Sequence, residues 1–175
     1  MATTQTTKGK TKATAKKATA TNAITLLKAD HRQVKAWFKD YEKAEADTRK
    51  AKLSEQICTA LKVHMQIEEE YFYPASREVL KADQEDMVDE AVVEHAGAKE
   101  LIAQIENMDV DDDLYDAKVK VLGEQIDHHV DEEETEYFPA VAKTELNLEA
   151  LGAKMAARKE ELMAKLTRAN GHKVQ

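Results

Sequence analysis

One eleven-residue segment occurs twice in this chain and places polar residues where a helix needs an apolar face. The first copy reads HMQIEEEYFYP, from His64 to Pro74, and the second reads HVDEEETEYFP, from His129 to Pro139. Each copy has a His, a Glu four residues later, a second Glu, at least two aromatic residues and a closing Pro. Residues four apart lie on one face of an α-helix. Each copy therefore presents an imidazole beside a carboxylate, an arrangement suited to binding a metal ion.

Hydrophobic periodicity predicts four helices around these residues. In four segments the inward residues recur at spacings of mainly three and four, which is typical of a bundle helix. Each such line of residues, called here a seam, turns polar near its centre. The chain has only 5 Gly and 2 Pro, which leaves little material for the turns of a β fold. The seams are Ile24, Leu27, His31, Val34, Phe38 and Tyr41; Leu53, Ile57, Ala60, Leu61, His64, Glu68 and Tyr71; Val88, Ala91, His95, Ala98, Ile102 and Ile105; and Tyr115, Val119, Leu122, Ile126, His129 and Glu133.

These seams predict an all-α fold. Residues 22–142 are expected to form an up-down-up-down antiparallel four-helix bundle, because four helices with short connections pack in that way. Residues 143–175 are expected to form an additional C-terminal helix, from about Asn147 to Leu166, that packs on the bundle and frays at its end. Residues 1–21, rich in Thr, Ala and Lys, are expected to be a disordered basic tail with almost nothing to bury. Pro74 is expected to kink or end the second helix, with continuation for a turn or two from Ala75 to Leu80 as the alternative.

The predicted turns bring four histidines to one level of the bundle. In an antiparallel hairpin, residues equally far from the connecting loop lie at the same height. The midpoint between His31 and His64 falls in the turn predicted between their helices, and so does the midpoint between His95 and His129. A lone His on an apolar seam is usually an ordinary core residue, but four seams with one His each indicate a shared site.

Two seams also carry an inward acid, Glu68 and Glu133. Burying an ionised carboxylate is costly unless a cation or a hydrogen-bond partner compensates. No Lys or Arg occupies a seam near this layer, so the cation must come from outside the chain. The candidate metal ligands are His31, His64, Glu68, His95, His129 and Glu133.

The composition of this ligand set favours iron. Mixed imidazole and carboxylate ligation suits iron, with manganese or zinc as alternatives. The set is larger than one tetrahedral zinc requires, and the chain has no HExxH motif and no Cys pair. Two carboxylates aimed at one core can bridge a pair of ions, so we expect a di-iron centre. Ferritin-like bundles place Glu three residues before His, whereas here those positions hold Leu61, Val92 and Ile126.

The order of His and then an acid four residues later resembles the hemerythrin family, specifically its HHE cation-binding branch. The resemblance covers roughly residues 22–142 and rests on the doubled His-x-x-x-Glu-Glu with its trailing aromatic and Pro. It implies a four-helix bundle around two iron ions joined by an oxo or hydroxo bridge. By the family's pattern one iron would be bound by His31 and His64, the other by His95 and His129, and both by Glu68 and Glu133.

The chain departs from this pattern at Ala91, where oxygen-carrying hemerythrins have another His one turn before the third-helix ligand. One iron then lacks a nitrogen ligand, which argues against simple oxygen carriage and favours exchange of small ligands and redox chemistry. His128 lies about 100° around the helix from His129. That position favours a surface or outer role, with a replacement ligand as the alternative.

The remaining polar and aromatic residues near the repeats have simpler interpretations. Three acids are expected on a solvated face, although Glu69 and Glu134 occupy matched positions and could steer cations inward. Cys58 is expected to be a small buried hydrophobic residue. The aromatic residues expected to pack the core, rather than to carry radicals, are Tyr71, Tyr73, Tyr137 and Phe138, and the three acids are Glu69, Glu132 and Glu134.

Three functions agree with such a centre. The first is a protein that binds O₂, NO or peroxide as a small ligand. The second is a redox enzyme, catalase-like or ferroxidase-like. The third is an iron storage or sensing module, which would have to act through a protein partner that the sequence does not identify.

Charge and cysteine content bound the partners and the compartment. The net charge is −8, but residues 1–21 carry five lysines and no acid, so the remainder carries −13. A body that acidic is not expected to bind nucleic acid by itself; contact of the tail with nucleic acid or an anionic surface is an alternative to a solubilising arm. With Cys58 as the single cysteine, no secretory signal and no apolar run near the roughly 20 residues of a membrane span, we expect a soluble cytoplasmic protein.

Overall fold

A computed structural model of the chain describes the backbone of residues 22–170 and the side chains of residues 22–166. Every regular element in this range is helical. The prediction of a disordered tail at residues 1–21 lies outside the described residues. The frayed end is predicted for residues 167–175, of which 167–170 continue the last helix and 171–175 lie outside the described residues.

Five long helices and several short helical segments follow one another along the chain. Most of the long helices begin and end within a few residues of the predicted boundaries, while the last one continues past its predicted end at Leu166. The elements are α1 (Ala23–Glu42), α2 (Asp47–Ile67), the π-helical turn π1 (Glu68–Phe72), α3 (Tyr73–Arg77), a 3-10 turn (Ala82–Gln84), α4 (Asp86–Glu106), α5 (Tyr115–Glu132), a second π-helical turn π2 (Glu133–Tyr137), α6 (Phe138–Val141) and α7 (Leu148–Asn170).

Four of the long helices enclose a common core. Helix α1 packs against α2 and α5, and α4 packs against α5 and α2, so the four form a closed ring. The predicted cap of α1 is present, because Asn22 Oδ1 accepts a hydrogen bond from the backbone N–H of Ile24 at 2.9 Å. Helix α7 lies on α1, α2 and π1, with Met155 fully buried. The added helix therefore covers one side of the ring.

A polar layer divides the core into two apolar halves. Leu27, Ile67 and Met155 belong to one half, and Leu61 and Leu122 belong to the other. On α1, α2 and α4 the inward His lies between residues of the two halves, and His129 lies between Ile126 of one half and Tyr137, beyond the end of α5, of the other. The layer therefore lies inside the bundle, where only groups from the chain itself or a bound ion can satisfy it.

Both copies of the repeat enter a π turn at their inward acid. π1 begins at Glu68 and π2 at Glu133. A π turn holds one more residue than an α turn, so the residues that follow are shifted around the helix axis. Tyr71, predicted on the seam, is for that reason only partly buried, whereas Phe72 and Tyr137 are in the core.

The same π turn decides where the second helix ends. Helix α2 gives way to π1 after Ile67, well before the proline. Pro74 then stands in the first turn of α3, where its missing N–H costs little. The chain therefore remains helical through Pro74 to Arg77, in agreement with the alternative of a continuation for a turn or two.

None of the helices in the described range 22–170 combines the length and the apolar character that crossing a bilayer requires.

We predict that Leu122→Ala lowers the free energy of unfolding by roughly 2–5 kcal/mol, because it leaves a cavity in a well-packed core. Leu122 is 0% exposed. The matched control is Leu114→Ala, which removes the same atoms from a side chain that is 69% exposed and should change stability by no more than about 0.5 kcal/mol. Urea unfolding followed by circular dichroism measures both. Equal losses in the two variants would contradict the packing described here.

Candidate metal centre

Four buried histidines, one from each helix of the ring, face one another in the polar layer. They are His31 on α1, His64 on α2, His95 on α4 and His129 on α5, and each is 4% exposed or less. Their Nε2 atoms meet in pairs, 3.1 Å apart for His31 and His64 and 3.2 Å apart for His95 and His129. All four rings therefore present the same nitrogen to the middle of the bundle.

Glu68 and Glu133 lie between the two histidine pairs. The Oε2 atom of Glu68 is 3.2 Å from His64 Nε2 and 3.5 Å from His95 Nε2. The Oε2 atom of Glu133 is 3.4 Å from Nε2 of His31 and 3.6 Å from Nε2 of His129. Each carboxylate thus reaches one His of each pair, as a ligand shared by two ions must.

The oxygens of these two acids lack the partners that buried carboxylates normally have. Glu68 is 0% exposed and Glu133 is 2% exposed. Within the described part of the chain, both oxygens of Glu68 have no hydrogen-bond partner, and Oε2 of Glu133 has none either. Leaving a buried polar group unsatisfied costs about 1–3 kcal/mol, and more for a charged group. The donor set of imidazole nitrogens and carboxylate oxygens fits an iron ion, which would satisfy these atoms.

The ligand atoms form two groups that share Glu68. His31, His64, Glu68 and Glu133 offer atoms that all lie within 4.8 Å of one another, and so do Glu68, His95 and His129. Two overlapping groups are what a pair of neighbouring cations requires.

Burial sets the electrostatics of this layer. It raises the pKa of Glu68 well above its usual range, and the charge of Glu133 raises it further. Burial also opposes ionisation of Glu133, but the contact with His31 and the charge of His129 outweigh it and lower the pKa to about 2. Burial lowers the pKa of His64 to about 4, so that this ring is neutral near pH 7 and can donate its lone pair. The two carboxylates repel each other, and a cation between them removes that cost.

Each of the four histidines is held at its other ring nitrogen by a carboxylate from a neighbouring element. Such contacts fix the orientation of a ligand ring and the position of its proton. The hydrogen bond of Glu69 with His95 lowers the pKa of that carboxyl, and the one of Glu94 with His129 does the same. The four distances from Nδ1 are 2.9 Å for His31 to Glu134, 3.4 Å for His64 to Asp30, 2.9 Å for His95 to Glu69 and 2.7 Å for His129 to Glu94.

Two of these outer carboxylates were missed by the sequence analysis. Asp30 and Glu94 each directly precede an inward His, so an acid-His pair at matched positions of two seams was the available signal. The prediction that Glu69 and Glu134 lie on a solvated face is wrong. Both side chains are about two-thirds buried, and each holds a histidine.

The two halves of the centre differ at the aromatic residue directly before the proline. Tyr73 in the first copy donates its hydroxyl to Glu133 Oε1 at 3.2 Å, and this hydroxyl is 3.1 Å from His95 Nε2. Phe138 in the second copy only stacks on His31, with the ring centres 5.8 Å apart. Burial and then the nearby carboxylates raise the pKa of Tyr73 well above its usual range. Tyr73 therefore keeps its proton and does more than pack the core.

The other residues singled out in the sequence lie outside the buried layer. The side chain of His128 is 65% exposed, with Nε2 3.3 Å from Glu132 Oε1, in agreement with the predicted surface position. Ala91 is buried beside His129 and Glu133. Cys58 is buried in the apolar half of the core that contains Leu61, as predicted.

Comparison with known proteins identifies the family. The profile of the hemerythrin HHE cation binding domain matches residues 22–141. The chain belongs to the hemerythrin HHE family. The crystal structure of a hemerythrin HHE cation binding domain-containing protein from Mycobacterium kansasii is similar, with 27% sequence identity, a TM-score of 0.68, and coverage of 82% of this chain and 88% of that chain. A comparison with curated protein sequences gave no match.

Family membership establishes the class of this protein. The resemblance predicted from the doubled His-x-x-x-Glu-Glu is confirmed. As a member of the hemerythrin HHE family, the chain is a cation-binding protein, and its buried His and Glu groups are suited to hold the metal.

We predict that Glu69→Gln weakens metal binding by roughly tenfold to a hundredfold, because outer carboxylates of this kind orient the ligand ring and raise its basicity. The amide holds His95 less strongly than the carboxylate does. Competition for Fe²⁺ or Zn²⁺ with a chromophoric chelator measures the affinity. The control is Glu70→Gln, which removes the same charge from the next residue, where the carboxylate binds Arg158 instead of a histidine. Equal affinities in the two variants would contradict the assigned role.

Proposed function

We propose that the protein holds a pair of iron ions in the polar layer and that this pair binds or reacts with a small ligand such as O₂, NO or peroxide. The observation that carries the proposal is the position of two buried carboxylates, each with an oxygen that has no hydrogen-bond partner and lies within reach of both histidine pairs. When bound, the iron pair would supply Lewis acidity and electrons for small-ligand chemistry. In this proposal His31 and His64 hold one ion, His95 and His129 hold the other, and Glu68 and Glu133 hold both.

Open coordination positions support a role with exogenous ligands. Position 91 is alanine, where the oxygen-carrying members of the family have a further His. The ion held by His95 and His129 would therefore have fewer protein ligands than iron commonly takes, which leaves room for an incoming molecule.

A redox enzyme is the second candidate, and Tyr73 favours it. Cleavage of a peroxide requires a proton at the departing oxygen. The hydroxyl of Tyr73 is protonated, buried and in contact with both His95 and Glu133, so it can deliver a proton where a small ligand would bind. Catalase-like and ferroxidase-like turnover are the reactions that this residue would serve.

The division of the chain into a metal-binding bundle and a covering helix is part of the same proposal. We infer that residues 22–142 are the metal-binding bundle with its helices alternately up and down, because that order brings the four histidines to one level. Residues 143–175 then serve as a cover, for which the contacts of α7 with α1 and α2 give support. The cytoplasmic location expected from the single cysteine stays a prediction.

We predict that Glu68→Ala and Glu133→Ala each reduce iron loading from two ions per chain to at most one, since either change removes a ligand shared by both ions. The full chain is loaded with Fe²⁺ under anaerobic conditions, desalted and analysed for iron. Glu100→Ala, an exposed glutamate on α4, is the charge-matched control and should retain both ions. Two ions per chain in the Glu68 and Glu133 variants would contradict the shared role.

The optical spectrum separates the candidate functions. Iron-loaded protein that binds O₂ reversibly is expected to gain a charge-transfer band that disappears under vacuum, and NO should give a band of its own. An enzyme of the catalase type would instead evolve gas from peroxide over many turnovers. A spectrum unaffected by O₂, NO and peroxide would contradict the small-ligand function.

We predict that Tyr73→Phe slows the reaction of the iron-loaded protein with peroxide by roughly a hundredfold, the typical contribution of a positioned proton donor. Iron content should be unchanged, because the Tyr73 hydroxyl is not one of the proposed iron ligands. The control is Tyr137→Phe, which removes a buried hydroxyl that bonds Ser76 instead of the centre. Stopped-flow spectroscopy measures both rates. An unchanged rate in Tyr73→Phe would show that the proton comes from elsewhere.

A further inference from the structure

A small cleft beside α4 and α5 runs from the protein surface to the metal centre. Its volume is about 50 Å³, and its lining includes the buried residues Ala91, His129 and Glu133. Glu133 lines it as a carboxylate that is 2% exposed and has an unpartnered Oε2. Four further glutamates line the cleft nearer the surface, namely Glu90, Glu94, Glu132 and Glu136.

The matching positions on the opposite side of the bundle are apolar and closed. His128 directly precedes the second copy of the repeat, and Val63 directly precedes the first. Within the copies, Glu132 corresponds to Ile67. Val63 and Ile67 are 1% and 0% exposed and pack in the core half that includes residues of α7. The side chains of His128 and Glu132 are 65% and 39% exposed. Helix α7 therefore covers the first side, and the second side keeps polar groups open to solvent.

The outer carboxylates show the same asymmetry in their charge partners. Three of the four that hold histidines form an ion pair with a lysine, and Glu94 does not. Within residues 22–166, neither Lys nor Arg lies within ion-pair distance of Glu94 or Glu132, and their ion-pair partners are histidines only. Among the described residues, the charges of Glu94 and Glu132 therefore have no lysine or arginine to balance them. The three lysine pairs are Lys159 with Asp30, Lys99 with Glu69 and Lys28 with Glu134.

We propose that Glu94, His128 and Glu132 form a third cation site, at which a divalent metal ion binds before it passes through the cleft to the buried centre. One imidazole nitrogen and two carboxylate oxygens of these residues lie within 4.8 Å of one another, and this donor set suits Fe²⁺. Glu133, at the inner end of the cleft, provides the next carboxylate along the path. The inference rests on the proposed function, because the site serves to load that centre.

Glu94 connects the two sites. Its Oε1 is 3.7 Å from His128 Nε2, while its Oε2 is 2.7 Å from His129 Nδ1. One carboxylate therefore faces the surface site with one oxygen and holds a ligand ring of the buried centre with the other. The surrounding glutamates add an attractive potential, and clefts lined by one sign of charge raise association rates by roughly 10–10³.

The first test is binding of a third ion to protein whose buried centre is already filled. Metal-replete full-length protein is titrated with Mn²⁺, and free Mn²⁺ is followed by electron paramagnetic resonance. We expect one additional Mn²⁺ per chain, with at least tenfold weaker binding in the double variant His128→Ala, Glu132→Gln. Asp131→Asn, which removes an exposed charge next to Glu132 on α5, should bind Mn²⁺ like the parent protein. Equal Mn²⁺ binding in the double variant and the parent would overturn the site.

The second test is the rate of loading. Metal-free full-length protein is mixed with Fe²⁺ under anaerobic conditions, and uptake is stopped at intervals with a chelator. The double variant should load roughly tenfold more slowly than the parent or Asp131→Asn, and should still reach two irons per chain. Equal rates would overturn the transit role. Failure of the parent itself to take up iron would instead refute the proposed function, so the two failures are distinct.

Discussion

Repulsion between two buried carboxylates is the constraint around which this fold is built. Glu68 and Glu133 are removed from water, and their unpartnered oxygens lie within 3.2–3.6 Å of four imidazole nitrogens. Burial leaves the repulsion between the two acids unscreened by solvent. The layer they occupy divides the apolar core in two. A chain gains nothing in stability from such a layer unless cations fill it, so the bundle is best understood as a scaffold that positions six side chains.

The internal repeat makes the two halves of the centre similar. They differ in one aromatic side chain near the ligands and in their exposure to solvent. Tyr73 gives one half a proton donor, whereas Phe138 gives the other half a stacked ring. Helix α7 covers the side of α1 and α2. The side of α4 and α5 keeps a cleft lined with acids. The repeated metal-binding framework therefore has a closed side and an open side.

Much of this architecture could be predicted from the sequence, because the features that determine it are periodic. The seams and the His-x-x-x-Glu pairs follow from spacing alone, and the hemerythrin resemblance follows from the pairs. The π turns could not be predicted, because a fixed period of 3.6 residues has no place for an extra residue. Their register shift explains why Phe72 and not Tyr71 is in the core. The roles of Asp30 and Glu94 depend on contacts between helices, which a seam analysis does not contain.

The measurement that tests the central claim most directly is a crystal structure of the iron-loaded protein with anomalous diffraction data collected at the iron edge. The account predicts two anomalous peaks between Glu68 and Glu133, about 3.5–4 Å apart, the usual spacing of paired metal ions. Each peak should lie within bonding distance of Nε2 from two histidines. A single peak, or a layer without any peak in protein that is otherwise folded and loaded, would contradict it.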